Sequence, residues 1–175
     1  MELIIRPLTP ARWKDVEALF NARGCSVARQ CWCMFYRRSG TPAAPPRGTT
    51  RAMANHAALR GLVDSGEPPG LIAYRGRTAV GWVSLGPREA FARLARSPVM
   101  KPVDDRPVWS IICFVVPAEY RGQGVAHARR GQAGIQDVIE VRATGDVLKG
   151  ELGDARVSQG KLLLVGVAPA LQEQL

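Results

Sequence analysis

The sequence predicts an α/β (α+β) domain built as a mixed, mainly antiparallel sheet flanked by helices, and three features carry that expectation. One is a helical stripe of apolar residues near the N-terminus, and the second is a pair of β-forming runs around a short glycine turn. The third is the nearly continuous apolar run from Val108 to Val116. A chain of 175 residues suits one domain that buries its core without disulfides or a structural metal.

Leu3-Ile4-Ile5-Arg6-Pro7-Leu8 reads as an opening strand. Thr9-Pro10 then starts a helix, with Thr at the N-cap and Pro in the first turn, and it runs to about Ala22 with Gly24 as its stop. Trp13, Val16, Leu19 and Phe20 fall at helical spacing, so they should share one buried face. Residues 25–49 read as irregular: the cluster Cys31-Trp32-Cys33-Met34-Phe35-Tyr36 runs into a Pro/Gly-rich stretch. From Thr50 to Asp64 the positions of Met53, Ala57, Leu59, Leu62 and Val63 predict a second amphipathic helix.

Gly70–Tyr74 and Thr78–Leu85, joined by Arg75-Gly76-Arg77, predict an antiparallel hairpin. Arg88–Arg96 reads as helical and 102–107 as a loop. The run Val108–Val116 then reads as a central strand buried on both faces, because it does not alternate with polar residues.

The formal charge of +9 is uneven. Residues 1–127 hold 18 basic and 9 acidic side chains, and residues 128–175 hold 6 of each. Such a field favours an anionic partner, and both nucleic acid and the phosphates of a nucleotide cofactor qualify. Nucleic-acid binding is the less favoured of these, because the arginines form no stripe with interleaved aromatics. No apolar run reaches the roughly 20 residues of a membrane-spanning helix. The opening MELIIRPLTP lacks the ordered regions of a secretory signal, which makes a cytoplasmic location the expectation. Cys25, Cys31, Cys33 and Cys113 should then be reduced, and the single residue between Cys31 and Cys33 is too few for a zinc knuckle. No metal is expected.

The chemistry-bearing motif follows the apolar run. Pro117-Ala118-Glu119-Tyr120-Arg121-Gly122-Gln123-Gly124-Val125-Ala126 places a glycine turn between a strand and a helix start, where backbone amides can cradle a phosphate and Arg121 can add a charged contact. It is neither a Walker loop nor a dinucleotide fingerprint. Residues Arg121 to Ala126 match the (Q/R)-x-x-G-x-(G/A) pyrophosphate loop of the GCN5-related N-acetyltransferase (GNAT) superfamily. The lead-in Phe114-Val115-Val116-Pro117-Ala118-Glu119-Tyr120 also resembles that superfamily's central strand, and the resemblance covers about residues 2–127.

The resemblance implies a GNAT-like acyl-CoA-binding core over 1–127 that transfers an acetyl group from acetyl-CoA to a primary amine of a small molecule or protein. It implies that the main chain of Phe114, Val115 and Val116 pairs with the pantetheine arm, with a splay near Val115 opening a slot for the thioester. It implies that Arg121, Gly122, Gln123, Gly124, Val125 and Ala126 hold the pyrophosphate. It also implies that Trp32, Tyr36 and residues 37–49 border the acceptor. No catalytic residue is assigned: the run 108–116 has no carboxylate, Glu119, Asp104 and Asp105 read as solvated turn residues, and Cys113 reads as a small core residue rather than an acyl carrier.

The segment 128–175 departs from the family. All 11 aromatic residues lie at or before Tyr120, and Gly131 and Gly134 interrupt the helix expected after the loop. Lys161–Val167 is its one strand-like run. This segment reads as atypical, disrupted or out of frame, leaving the fold incomplete and an exposed sheet edge that favours dimerisation. The missing C-terminal Tyr, a general acid in many relatives, makes a CoA-binding module with weak or no catalysis the alternative reading.

Overall fold

A computed structural model describes residues 3–39, 44–102, 105, 108–125 and 164–165. The sheet order is β1 (Leu3–Pro7), β2 (Gly70–Arg75), β3 (Thr78–Pro87), β4 (Trp109–Val115) and β5 (Leu164–Val165), each antiparallel to its neighbour. The expected antiparallel sheet with flanking helices is therefore present. β5 pairs with β4 only at Ser110 and Ile111, and its two residues fall inside the strand-like run 161–167. The rest of 126–175, including the interrupted helix, lies outside the described residues.

Helix α1 (Trp13–Asn21) follows a helical turn at Pro10–Arg12, and Trp13, Val16, Leu19 and Phe20 are all buried, as their spacing requires. Residues 25–49 are not wholly irregular: Ser26–Cys31 form a short helix, α2. Six residues are too few to show a period, and this helix exists because Cys25, Ala28 and Trp32 are buried against its neighbours. α2 ends abruptly, with Trp32 and Cys33 both left-handed at φ 48° and 54°. Left-handed backbone costs a residue with a Cβ about 1–2 kcal/mol. Here it turns Trp32 inward to lie 4.9 Å from Phe20 and 6.1 Å from Trp13, centroid to centroid.

Helix α3 (Arg51–Asp64) is capped by Thr50, whose hydroxyl accepts from the Met53 amide at 3.2 Å. Its buried residues are Asn55, Leu59 and Val63, while Met53 is 56% exposed and leaves the expected stripe. Asn55 takes the inward position by donating to the Gln30 carbonyl at 2.9 Å, which ties α3 to α2.

Ile72, Tyr74, Trp82 and Val115 join α1, α2 and α3 in one core, so these helices cover a single face of the sheet. β4 departs from the expected burial on both faces: Ile112, Cys113 and Phe114 are half-buried, and for Phe114 the reason is that it points away from the helices. The stretch 88–96 also differs, splitting into a turn at Arg88–Ala90 and a short helix α4 (Ala92–Ala95). Phe91 interrupts it with a non-helical backbone, φ −112° and ψ 75°, and its ring is fully buried. Among the described residues no helix is long and apolar enough to cross a membrane.

Tyr74 fastens β2 to α1, its hydroxyl donating to Asp15 Oδ2 at 2.5 Å. Burial first, and the Asp15 bond second, push its ionisation above the ordinary tyrosine range. A raised folded-state value means this contribution is complete below the unfolded pKa of about 10 and is lost as pH rises beyond it. Tyr74→Phe should lower stability by about 1–2 kcal/mol at pH 7. The gap between variant and parent should then narrow above pH about 10, read by denaturant unfolding across pH. A gap that stays constant through that window would exclude this role for Tyr74.

Candidate functional site

The far end of β4 is where the sequence motif meets the sheet. On one edge β4 pairs with β3 through Trp82 with Val115, Val83 with Phe114, and Ser84 with Cys113. The register then shifts, so that Leu85 meets Ile111 and Ile112 is the extra residue. β4 thus carries a bulge at Ile112, three positions before Val115. On the other edge Ser110 and Ile111 pair with Val165 and Leu164, and the residues on either side of β5 lie outside the described residues.

After Val116 the chain makes a helical turn at Ala118–Tyr120 and enters the glycine loop. Gly122 and Gly124 sit at φ 72° and 75°, a region costly for any side chain with a Cβ. A Cβ built at either one meets no atom of the described residues within 4 Å, so both are uncrowded among them. Two consecutive turns with an uncrowded surface leave main-chain amides approachable by an anion. Val125 then returns to the sheet: its Cγ1 lies 2.7 Å from where a Cβ on Gly81 would stand. Gly81 pairs with Ala73, on the face opposite to Trp82 and the helices, so the loop crosses from the strand end to the other side of the sheet.

The loop is fixed by its neighbours. The Ala118 amide donates to the Arg23 carbonyl at 3.0 Å. Arg121 donates through Nε to the Val116 carbonyl at 2.9 Å and through Nη2 to the Gly24 carbonyl at 2.7 Å. Arg121 therefore braces β4, the loop and the segment following α1 through Nε and Nη2. Gln123 donates to the Glu119 carbonyl at 2.6 Å and accepts from Arg75 Nη1 at 2.7 Å. Arg75, at the tip of the β2–β3 hairpin, is the cation that sequence reading missed, since 48 residues separate it from Gln123 and nothing local signals the pairing. Ala126 lies outside the described residues.

Other candidates are dispersed. Trp32 is only 4% exposed and its ring is taken up by Phe20, Trp13 and His56, so it serves the core. Tyr36 is half-buried against Phe35, and its carbonyl accepts from the Arg93 amide at 3.1 Å. Residues 40–43 and Asp104 lie outside the described residues, while Glu119 and Asp105 are exposed. Cys113 projects from the helix-covered face of β4 and packs against the core. Nothing local signals the 2.7 Å contact between His56 and Glu17, 39 residues apart, which joins α3 to α1 beside Trp13 and Trp32. Among the described residues no group of three or more His, Cys, Asp or Glu side chains could hold a metal ion.

No family model matches the chain, and no curated protein matches it. Among solved structures, an acetyltransferase of the GNAT family from Streptococcus agalactiae 2603 is similar to this chain, with a TM-score of 0.45 and 10% identity. The likeness covers 71% of this chain, which spans 64% of the length of that one. It is a partial structural resemblance, and the reading of the site rests on its own residues.

Removing the brace should loosen the loop without unfolding the domain. In Arg121→Ala, amides of 118–125 should exchange about tenfold faster, equivalent to about 1.4 kcal/mol of local opening, while global stability changes by less than that. Hydrogen exchange read by mass spectrometry checks this. Unaltered exchange across 118–125 would show that the guanidinium does not hold the loop.

Proposed function

We propose that this protein is an N-acetyltransferase that binds acetyl-CoA at the end of β4 and transfers its acetyl group to a primary amine. The observation that carries the reading is the turn after the strand. Gly122 and Gly124 hold positive φ with no described atom near a built Cβ, directly after β4 and ahead of a return to the sheet at Val125. That is the backbone form of an anion cradle, and its sequence Arg121–Ala126 resembles the CoA pyrophosphate loop of the GNAT superfamily.

The roles divide by chemistry. The amides of Gly122, Gln123, Gly124, Val125 and Ala126 would face the pyrophosphate, with Arg75 as the nearby cation and Arg121 keeping the loop in register. The main chain of Phe114, Val115 and Val116 would pair with the pantetheine arm, as the resemblance to the GNAT superfamily implies. Acetyl-CoA, when bound, supplies the activated thioester. A main-chain N–H aimed at the acyl oxygen would favour attack by a neutral amine, as oxyanion-stabilising donors do. Holding the donor does not require turnover, so amine-dependent release of free thiol separates a transferase from a module that only binds CoA.

Gly124→Val tests the cradle, since a branched side chain opposes the positive φ and intrudes on the uncrowded face. The dissociation constant for acetyl-CoA should rise by at least about tenfold, or about 1.4 kcal/mol, by calorimetry. Gly66→Ala is the control: Gly66 also has positive φ and no described atom near a built Cβ, but lies outside the loop and the segment assigned to the acceptor, so its substitution should leave the constant unchanged. Equal affinities for parent and Gly124→Val would sink the assignment.

A further inference from the structure

We infer that Cys33 and Cys113 form an oxidisable dithiol pair, which peroxide closes to a disulfide linking the turn after α2 to β4. Trp82 and Ser84 project from the same face of β3, and their cross-strand partners are Val115 and Cys113. Cys113 therefore stands on the helix-covered face, diagonal to Trp82. From the helix side, the left-handed turn at Trp32 and Cys33 carries Cys33 to the same indole, whose Nε1 donates to Cys33 Sγ at 3.3 Å. Cys33 lies in the buried core and Cys113 packs against it, so the two side chains approach one another beside that indole and each shifts the other's ionisation. Residues 80 positions apart are thus brought together by tertiary packing.

The other two thiols stand elsewhere. Cys31 lines a groove with Val27, Met34 and Phe35, and Cys25 lies near Arg121 and Arg29. All four thiols are free. Within the pair the roles are unequal: Cys33 is buried, and Cys113 is half-buried. The interaction with Cys113, followed by burial, raises the Cys33 thiol, whereas the interaction with Cys33 lowers that of Cys113. Cys113 is the sulfur that carries the negative charge more readily, because its interaction with Cys33 lowers its ionisation.

The chemistry then balances with hydrogen peroxide as the oxidant. The Cys113 thiolate attacks one peroxide oxygen, the O–O bond breaks, and hydroxide leaves a sulfenic acid on Cys113. Cys33 sulfur attacks that sulfenic sulfur, the S–O bond breaks, and the thiol proton leaves with the departing hydroxide as water. In sum two thiols and one peroxide become one disulfide and two waters. A small neutral oxidant suits a half-buried site.

The test uses the full chain without any CoA. Equimolar peroxide followed by alkylation and non-reducing tryptic mapping should show a loss of 2 Da and one cross-link, between the peptide carrying Cys31 and Cys33 and the peptide carrying Cys113. Cys31→Ser should retain the cross-link. Cys33→Ser and Cys33→Ala should both lose it, and leave Cys113 as a sulfenic acid that dimedone traps. Two substitutions at Cys33 guard against a single misfolded variant, and thermal unfolding of each checks that it is folded. Full alkylation of both Cys33 and Cys113 after peroxide would overturn the proposal, as would a cross-link that survives in a folded Cys33 variant. Since no CoA is present, neither result depends on whether the glycine loop binds it.

Discussion

The structure depends on aromatic packing between the helices and the sheet. Phe20, Trp32 and Trp82 form a continuous contact, with Phe20 at 4.9 Å from Trp32 and 5.9 Å from Trp82. Aromatic pairs contribute about 0.5–1.5 kcal/mol each beyond the area they bury. That gain offsets the left-handed backbone at Trp32 and Cys33, since the turn brings Trp32 into the cluster. The same demand reaches the sheet: a Cβ on Gly70 would stand 2.5 Å from the Trp82 ring, so β2 carries a glycine where the indole needs room.

The glycine loop inherits its position from this core. Val115 is buried beside Trp82, which fixes the end of β4, and the chain must leave the sheet one residue later at Val116. Arg121 then binds the Val116 and Gly24 carbonyls, so the loop is referenced both to the strand and to the segment following α1. A phosphate-sized anion selects amides that already point outward, and a loop held in place loses less entropy on binding than a mobile one.

The pairing of Cys33 with Cys113 belongs to the same region but answers to a different constraint. Their apposition follows from the exit angle of α2 and the register of β3 with β4. Peroxide chemistry there would tie the helix layer to the strand that leads into the glycine loop. A covalent link of that kind would couple the redox state to the rigidity of the β4 end without touching the loop's amides.

The sequence determined the kinds of element and the loop. The stripe Trp13, Val16, Leu19 and Phe20, the hairpin around Gly76 and the motif Arg121–Ala126 are each set by local period or by glycine spacing, which physical chemistry reads without knowing the fold. Tertiary structure decided what depends on neighbours distant in the chain. α2 was invisible because six residues show no period, and Met53 left its stripe because Asn55 found a carbonyl partner in Gln30. The helical pattern at 88–96 broke because Phe91 is worth more buried than helical. Arg121 became a brace, Arg75 arrived beside Gln123, and Cys33 met Cys113, because polar contacts form between atoms that packing brings within reach, and sequence separation does not record that proximity.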